Sequence, residues 1–314
     1  MRKYIFSGTI LLLFLSFLIY NHEVVTGAAQ GLLLWYRFVL PSLLPFMILV
    51  NIMMYTDTIS LLAKMLGPFM KGFPGVSPAG SFAVLTGFLC GYPMGAKVSA
   101  DLVKNRQITC AEGAYLLSFC NNTSPMFVLS ILLTQYVPDQ QLHPPFFLIL
   151  FLSPLLTGQL FRIYYTQKNP ASFRRDTLPV KNPGAPKQIG FLRAMDACLT
   201  DSFQAIIKVG LYMMLFAIFI RLSALLIPGS CPAKPLFLSS MEITSGLSIL
   251  ARLKLPASVR YILLMAQTSF GGFCAVFQTA SMIQKSGLKI LPYVIEKLIT
   301  ATVTSLLTFL YLYL

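Results

Sequence analysis

The stretch Gly87–Lys97, GFLCGYPMGAK, starts apolar and is then cut by Gly91, Tyr92, Pro93 and Gly95. The next apolar span carries Cys120-Asn121-Asn122-Thr123-Ser124-Pro125. The second half of the chain repeats this grammar. A short run is cut at Glu242-Ile243-Thr244-Ser245-Gly246, and the next span carries Gln267-Thr268-Ser269-Phe270-Gly271-Gly272. Helix-breaking polar residues at membrane depth are tolerated where they are enclosed by protein or line a water-filled cavity. Interruptions at corresponding places in two halves point to a transporter-type binding site.

The surrounding composition supports a membrane reading. Hydrophobic residues make up 56% of the 314 positions and charged residues 11%, against about 45–50% and about 25% in soluble proteins. Full spans are predicted at Tyr4–Tyr20, Leu32–Tyr55, Ala111–Leu133, Phe146–Tyr165, Ile206–Ile227, Tyr261–Ile283 and Val294–Leu314. Ser81–Val103 and Leu236–Leu250 lack the ~17–25 unbroken apolar residues of a crossing and are predicted as re-entrant or broken segments. The predicted fold class is all-α: a polytopic membrane helical bundle with inverted repeats, two interrupted re-entrant segments and broken helices.

The net charge of +14 fits cytoplasmic loops better than a nucleic-acid surface, so no nucleic-acid partner is expected. With Arg2 and Lys3 inside and the spans alternating, 18 of the 24 Lys and Arg residues fall inside and 6 outside. This bias matches the positive-inside rule. It places the N-terminus and the linker in the cytoplasm and the C-terminus outside a multi-pass cell-membrane protein. The implied organisation is an N-terminal transmembrane helix (1–28), a first membrane repeat (29–166), a basic cytoplasmic linker (167–205) and an inverted second repeat (206–314). A signal-peptide reading of the N-terminus is weaker, because the run Tyr4–Tyr20 is long and another span follows at once. Within the linker, Gly190–Phe203 is predicted as an amphipathic helix on the inner leaflet.

Candidate chemistry concentrates at the breaks. Glu242 is the one acidic residue read in the middle of an apolar segment, where a charge costs ~2.5–3.5 kcal/mol on insertion scales. It suits a proton or cation site, or, structurally, a half-helix cap or a partner for Lys97. Asn121, Asn122, Thr123 and Ser124 pack donors and acceptors ahead of Pro125, which disfavours helix at the residue before it. Thr244, Ser245, Gln267, Thr268 and Gln278 supply the second half. These ten residues form the predicted substrate site, although interhelical hydrogen bonding and small-residue packing are the plain alternatives. Six scattered cysteines and two histidines do not make a clustered metal site. Neither a cofactor nor an enzyme signature is read from the sequence.

The strings GFLCGYPMGAK, LLSFCNNTSPMFV (Leu116–Val128), MEITSG (Met241–Gly246) and SFGGFCAVFQ (Ser269–Gln278) resemble the sporulation integral membrane protein YlbJ family. That family lies within the wider nucleoside-recognition, or Gate, domain group. The resemblance covers roughly residues 30–310. It implies an endospore-forming Gram-positive source, a role in spore cortex formation, and relatives among nucleoside transporters and ferrous-iron permeases. It supplies no substrate or mechanism. The chain is short for the family, with a compact linker.

The leading expectation is a secondary-transporter-like protein that moves a small polar solute, with Glu242 coupling the movement to a proton or cation. The alternative is a non-transporting assembly or scaffold protein of the developing spore, with spore-membrane partners or a homo-oligomer. A metal-ion permease is weaker, resting on Cys120 and Cys274 in the matched spans.

Overall fold

The computed structural model describes residues 2–56, 61, 65, 75–168 and 191–314. Most of the predicted linker, 169–190, and the basic residues Lys64, Lys71, Arg174, Arg175, Lys181 and Lys187 lie outside the described residues. Everything regular among the described residues is helical. The elements are α1 (Arg2–Ile19), α2 (Asn21–Leu34), α3 (Leu40–Tyr55), α4 (Pro78–Cys90), α5 (Met94–Lys104) and α6 (Cys110–Cys120). Then come α7 (125–136), α8 (His143–Lys168), α9 (Phe191–Leu226), α10 (Lys234–Met241) and α11 (Ile243–Ala251). The chain ends with α12 (Ala257–Phe270), α13 (Gly272–Met282) and α14 (Ile290–Tyr313).

Among the described residues, six stretches are long and apolar enough to cross a membrane: Asn21–Met54, Cys110–Tyr136, Gln140–Lys168, Met195–Leu226, Ala257–Met282 and Ile290–Tyr313. Each overlaps a predicted span. The chain is an all-α polytopic membrane bundle. Two boundaries differ from expectation. The apolar part of α1, Ser7–Ile19, is shorter than the six, while α2 begins at Asn21 and runs through a π-helical turn, Trp35–Val39, into α3. Of the predicted in-plane helix 190–203, residues 191–203 are instead the first part of α9, one continuous helix of 36 residues. A continuous helix cannot lie flat on the leaflet and also cross it, so these residues extend the span.

Helix α9 packs antiparallel to α2 and α3 because small residues let the backbones approach. A Cβ on Gly31 would sit 2.7 Å from the Cα of Met214, and one on Gly27 would sit 3.0 Å from that of Ile218. The Trp35 indole donates to the Ile206 carbonyl at 3.1 Å, and Asn51 donates to Ser202 at 2.8 Å.

The two interrupted segments are hairpins. Helices α4 and α5 fold back about Gly91–Pro93, and α10 and α11 about Glu242. A Cβ on Gly246 would lie 2.2 Å from the Ser239 carbonyl oxygen, so the second hairpin closes only with glycine there. The open mouths lie at opposite ends. At one end, the basic end, the Ser77 N–H donates to Glu112 (2.7 Å) and Tyr165 donates to Glu296 (2.6 Å). At the other, Ser258 meets Tyr313 at 2.8 Å and Arg221 pairs with Glu23 at 2.9 Å. The tips therefore approach each other in the middle of the bundle.

Local sequence sets where the half-helices begin. Ser77 caps α4 ahead of Pro78, accepting from the Gly80 N–H at 3.0 Å. Ser124 caps α7 ahead of Pro125, accepting from the Phe127 N–H at 3.2 Å. A side-chain oxygen at the cap and proline in the first turn suit groups that have no helical partner.

Candidate functional site: a central cavity between two hairpin tips

The two tips and the two broken spans meet around a cavity of about 130 Å³. Thr123 and Ser124 enter from the first break, Tyr92 from the first tip, and Glu242 and Thr244 from the second tip. Gln278 and Cys274 enter from α13, with Phe38, Leu43, Ile131, Val209 and Met213 among the apolar walls. Five of the ten predicted site residues thus share one cavity: Thr123, Ser124, Glu242, Thr244 and Gln278.

The other five are placed differently. Ser245 faces an adjoining cavity of about 550 Å³ at the end opposite the basic one, with Gln30, Gln135, Arg221, Ser248 and Arg252. Phe38, Ile131 and Thr244 line both cavities, so these three form the neck between them. Asn121 is a joint: its side chain accepts from the Ala96 N–H (3.2 Å) and donates to Thr279 (2.8 Å) and Tyr293 (2.9 Å). The Asn122 carbonyl accepts the Tyr92 N–H at 2.6 Å, and its amide donates to the Phe119 carbonyl. Gln267 donates to the Ser239 carbonyl at 2.7 Å and pins the second hairpin. The Thr268 carbonyl accepts from Thr123 at 2.7 Å. The structure puts Asn121, Asn122, Gln267 and Thr268 in the joints that shape the cavity, not on its wall.

Glu242 is 2% exposed, and the geometry specifies its local work. Its two oxygens accept from the Thr244 N–H (3.0 Å) and the Ser245 N–H (2.8 Å). The carboxylate satisfies two otherwise unpaired donors and sits against the positive end of the α11 dipole. It does not meet Lys97, which donates to Asn51 at 2.9 Å and pairs with Asp101 at 3.0 Å. The Tyr92 hydroxyl is buried beside Thr123 and close to Glu242.

Close approach at the first tip depends on three glycines. A Cβ on Gly87 or Gly95 would stand 2.1 or 2.5 Å from the Cys120 carbonyl oxygen, and one on Gly91 2.6 Å from the Ser124 nitrogen. Gly91 also has φ 81°, a left-handed conformation that glycine adopts freely. At the second break, Gly271 and Gly272 have φ 84° and 83°, which ends α12 and restarts the chain as α13.

Two functional candidates escaped the sequence reading. Glu296 and Lys297 stand near the start of the predicted span Val294–Leu314, and both are buried on α14. Glu242 is therefore not the only acid buried in a span. Lys297 is 1% exposed and donates to the Asn121 carbonyl (3.2 Å) and the Asn122 side chain (3.0 Å). The available signal was the spacing Glu296, Thr300, Thr304, Thr308. Polar residues every four positions mark one buried helix face.

The site offers hydroxyls, an amide and half-helix ends inside an apolar shell. That set can orient a small solute carrying both donors and acceptors. Cys274 lines the cavity but Cys120 does not, so the two cysteines do not form a shared soft-ligand site there.

Neither a family model nor a solved structure matches this chain. Among curated proteins it is similar to the sporulation integral membrane protein YlbJ of Bacillus subtilis (strain 168). The identity is 25%, over 91% of this chain and 78% of that protein. That similarity extends nearly end to end over this chain, whose four quoted strings build the two tips and two breaks of the bundle.

Proposed function

We propose that the chain acts in sporulation as a secondary-transporter-like protein, passing a small polar solute that serves spore cortex formation through the central cavity. One observation carries the reading. Two hairpin tips from opposite ends and two broken spans converge on a cavity that combines Thr123, Ser124, Thr244 and Gln278 with a buried carboxylate. Irregular backbone at this depth otherwise has no reason to persist. The solute is held between the first break and the second tip. Rocking of one hairpin-bearing half against the other then exposes it alternately, coupled to a proton or cation. The basic end faces the cytoplasm, following the charge distribution.

The test is uptake into proteoliposomes of a radiolabelled panel consisting of a nucleoside, a neutral amino acid and a hexose. The Gate grouping implied by the motifs makes the nucleoside the first to try. Uptake of one member by the wild type, lost in Thr244→Val and Gln278→Leu, is expected. Comparison with Glu242→Gln then reads coupling: equal, equally driven uptake would remove Glu242 from that role. Cavity variants that make normal cortex, beside linker variants that do not, would replace transport with the scaffold reading.

A further inference from the structure

We infer that Lys297 is a protonatable latch that closes the basic end of the central cavity by tying α14 to the first helix break. Lys297 lies seven residues into α14 (Ile290–Tyr313), roughly 10 Å along the helix from its start at 1.5 Å per residue. Its ammonium is buried and held by two neutral oxygens, the Asn121 carbonyl and the Asn122 side chain. Among the described residues, the ion pairs are His22–Glu23, Lys97–Asp101, Lys104–Asp101 and Arg221–Glu23, and none includes Lys297. The adjacent Glu296 carboxylate accepts from Tyr165 instead.

A charge without a counter-ion is a poor permanent structural tie in a membrane, because its desolvation is not repaid by a partner. It is a workable reversible one. With its proton, Lys297 makes two charge-assisted hydrogen bonds. Once the proton passes to water, the neutral amine keeps only weaker donors and the tie slackens. The bonded residues are the two that precede Thr123 and Ser124 on the cavity wall. The wider adjoining cavity lies at the opposite end, so the latch stands on the side from which the cavity is shut.

The titratable and charged groups on α14 and the helices packed against it are few. Besides Lys297, Tyr293, Glu296, Tyr311 and Tyr313 lie on α14 itself, and Tyr293 meets Asn121. On α6, Glu112 is engaged with Ser77 and Tyr115 packs tilted against Phe119, while Cys120 is buried. On α8 there are His143, which meets the Val137 carbonyl, Arg162, Tyr164, Tyr165 and Lys168. On α12 there are Arg260 and Tyr261, and on α13 Cys274, hydrogen-bonded by Gln278.

The inference rests on the transport reading for its purpose but is tested without transport. Buried Cys120 adjoins the latch, Cys198 is buried on α9, and Cys110 is exposed. The full chain in detergent is treated with N-ethylmaleimide, and each cysteine is followed by peptide mass spectrometry. At about pH 6, labelling of Cys120 relative to Cys110 should rise about tenfold or more in Lys297→Gln, the scale of losing one charge-assisted bond. Lys297→Arg, which stays charged, should match the wild type. A Gln variant that labels like the wild type overturns the latch. If Cys198 rises in step with Cys120, the variant is unfolding, and wild type titrated from about pH 6 to about pH 10 decides. There the Cys120 to Cys198 ratio should climb, and a flat ratio overturns the proposal. Solute flux with Cys120 closed throughout sinks the latch alone. A working latch with no flux for any solute sinks the transport reading instead.

Discussion

Glu242 shows how one residue can be found by sequence and understood only in three dimensions. A lone acid inside an apolar segment was visible at once, and so was the list of its potential roles. Its backbone, at φ −146° and ψ 136°, turns the side chain back onto its own half-helix, where both oxygens bind N–H groups. Losing that cap costs ~1 kcal/mol or more in typical helices. Glu242→Ala should therefore lower the thermal unfolding midpoint in detergent, while Glu242→Gln, which keeps one acceptor, should lose less. Equal midpoints for the two variants would show that the cap contributes little. Lys297 is the opposite case. Its charge counts toward the cytoplasmic side in the sequence, and the polar spacing that starts at Glu296 marks a buried face without showing that α14 carries Lys297 inward against Asn122.

At the scale of elements, the hairpins explain why glycine recurs at these breaks. Gly87 and Gly95 both face the Cys120 carbonyl, so α4, α5 and α6 meet with no room for a side chain. Gly87→Ala is expected to destabilise the chain by ~1–3 kcal/mol, the usual range for overpacking a close contact. It should be seen as a lower yield of monodisperse protein and a lower unfolding midpoint. Gly8→Ala, where a Cβ meets nothing within 4 Å, should leave both unchanged. The interruptions themselves were legible because proline, adjacent glycines and clustered amides cannot continue a membrane helix. Their fold-back was expected from length alone. The seamless joining of 191–205 to the following span was not, since charge and apolarity are mixed there without a breaker to mark continuity or its lack.

Across the whole molecule, side-chain bonds join non-sequential helices, both between the halves and within the second half. Thr157 on α8 meets Thr300 on α14 at 3.1 Å, and Thr304 donates to Ser269 on α12 at 2.9 Å. Such bonds average ~0.6 kcal/mol in membrane proteins. A double-mutant cycle of Thr157→Val and Thr300→Val, read from unfolding midpoints, should give a coupling of about that size. A coupling near zero would mean that this bond adds nothing to the packing and the Tyr165–Glu296 hydrogen bond that hold α8 to α14. The sequence by itself determined the class, six of its seven expected crossings, the paired breaks and five of the residues that line the cavity. These depend on hydropathy, helix propensity and charge sidedness, all of which are local or additive. Only the tertiary structure decided which polar residues face the cavity and which become joints. Asn121 and Thr123 are two positions apart yet point to different partners, since side-chain direction in an unwound segment is set by whatever packs against it.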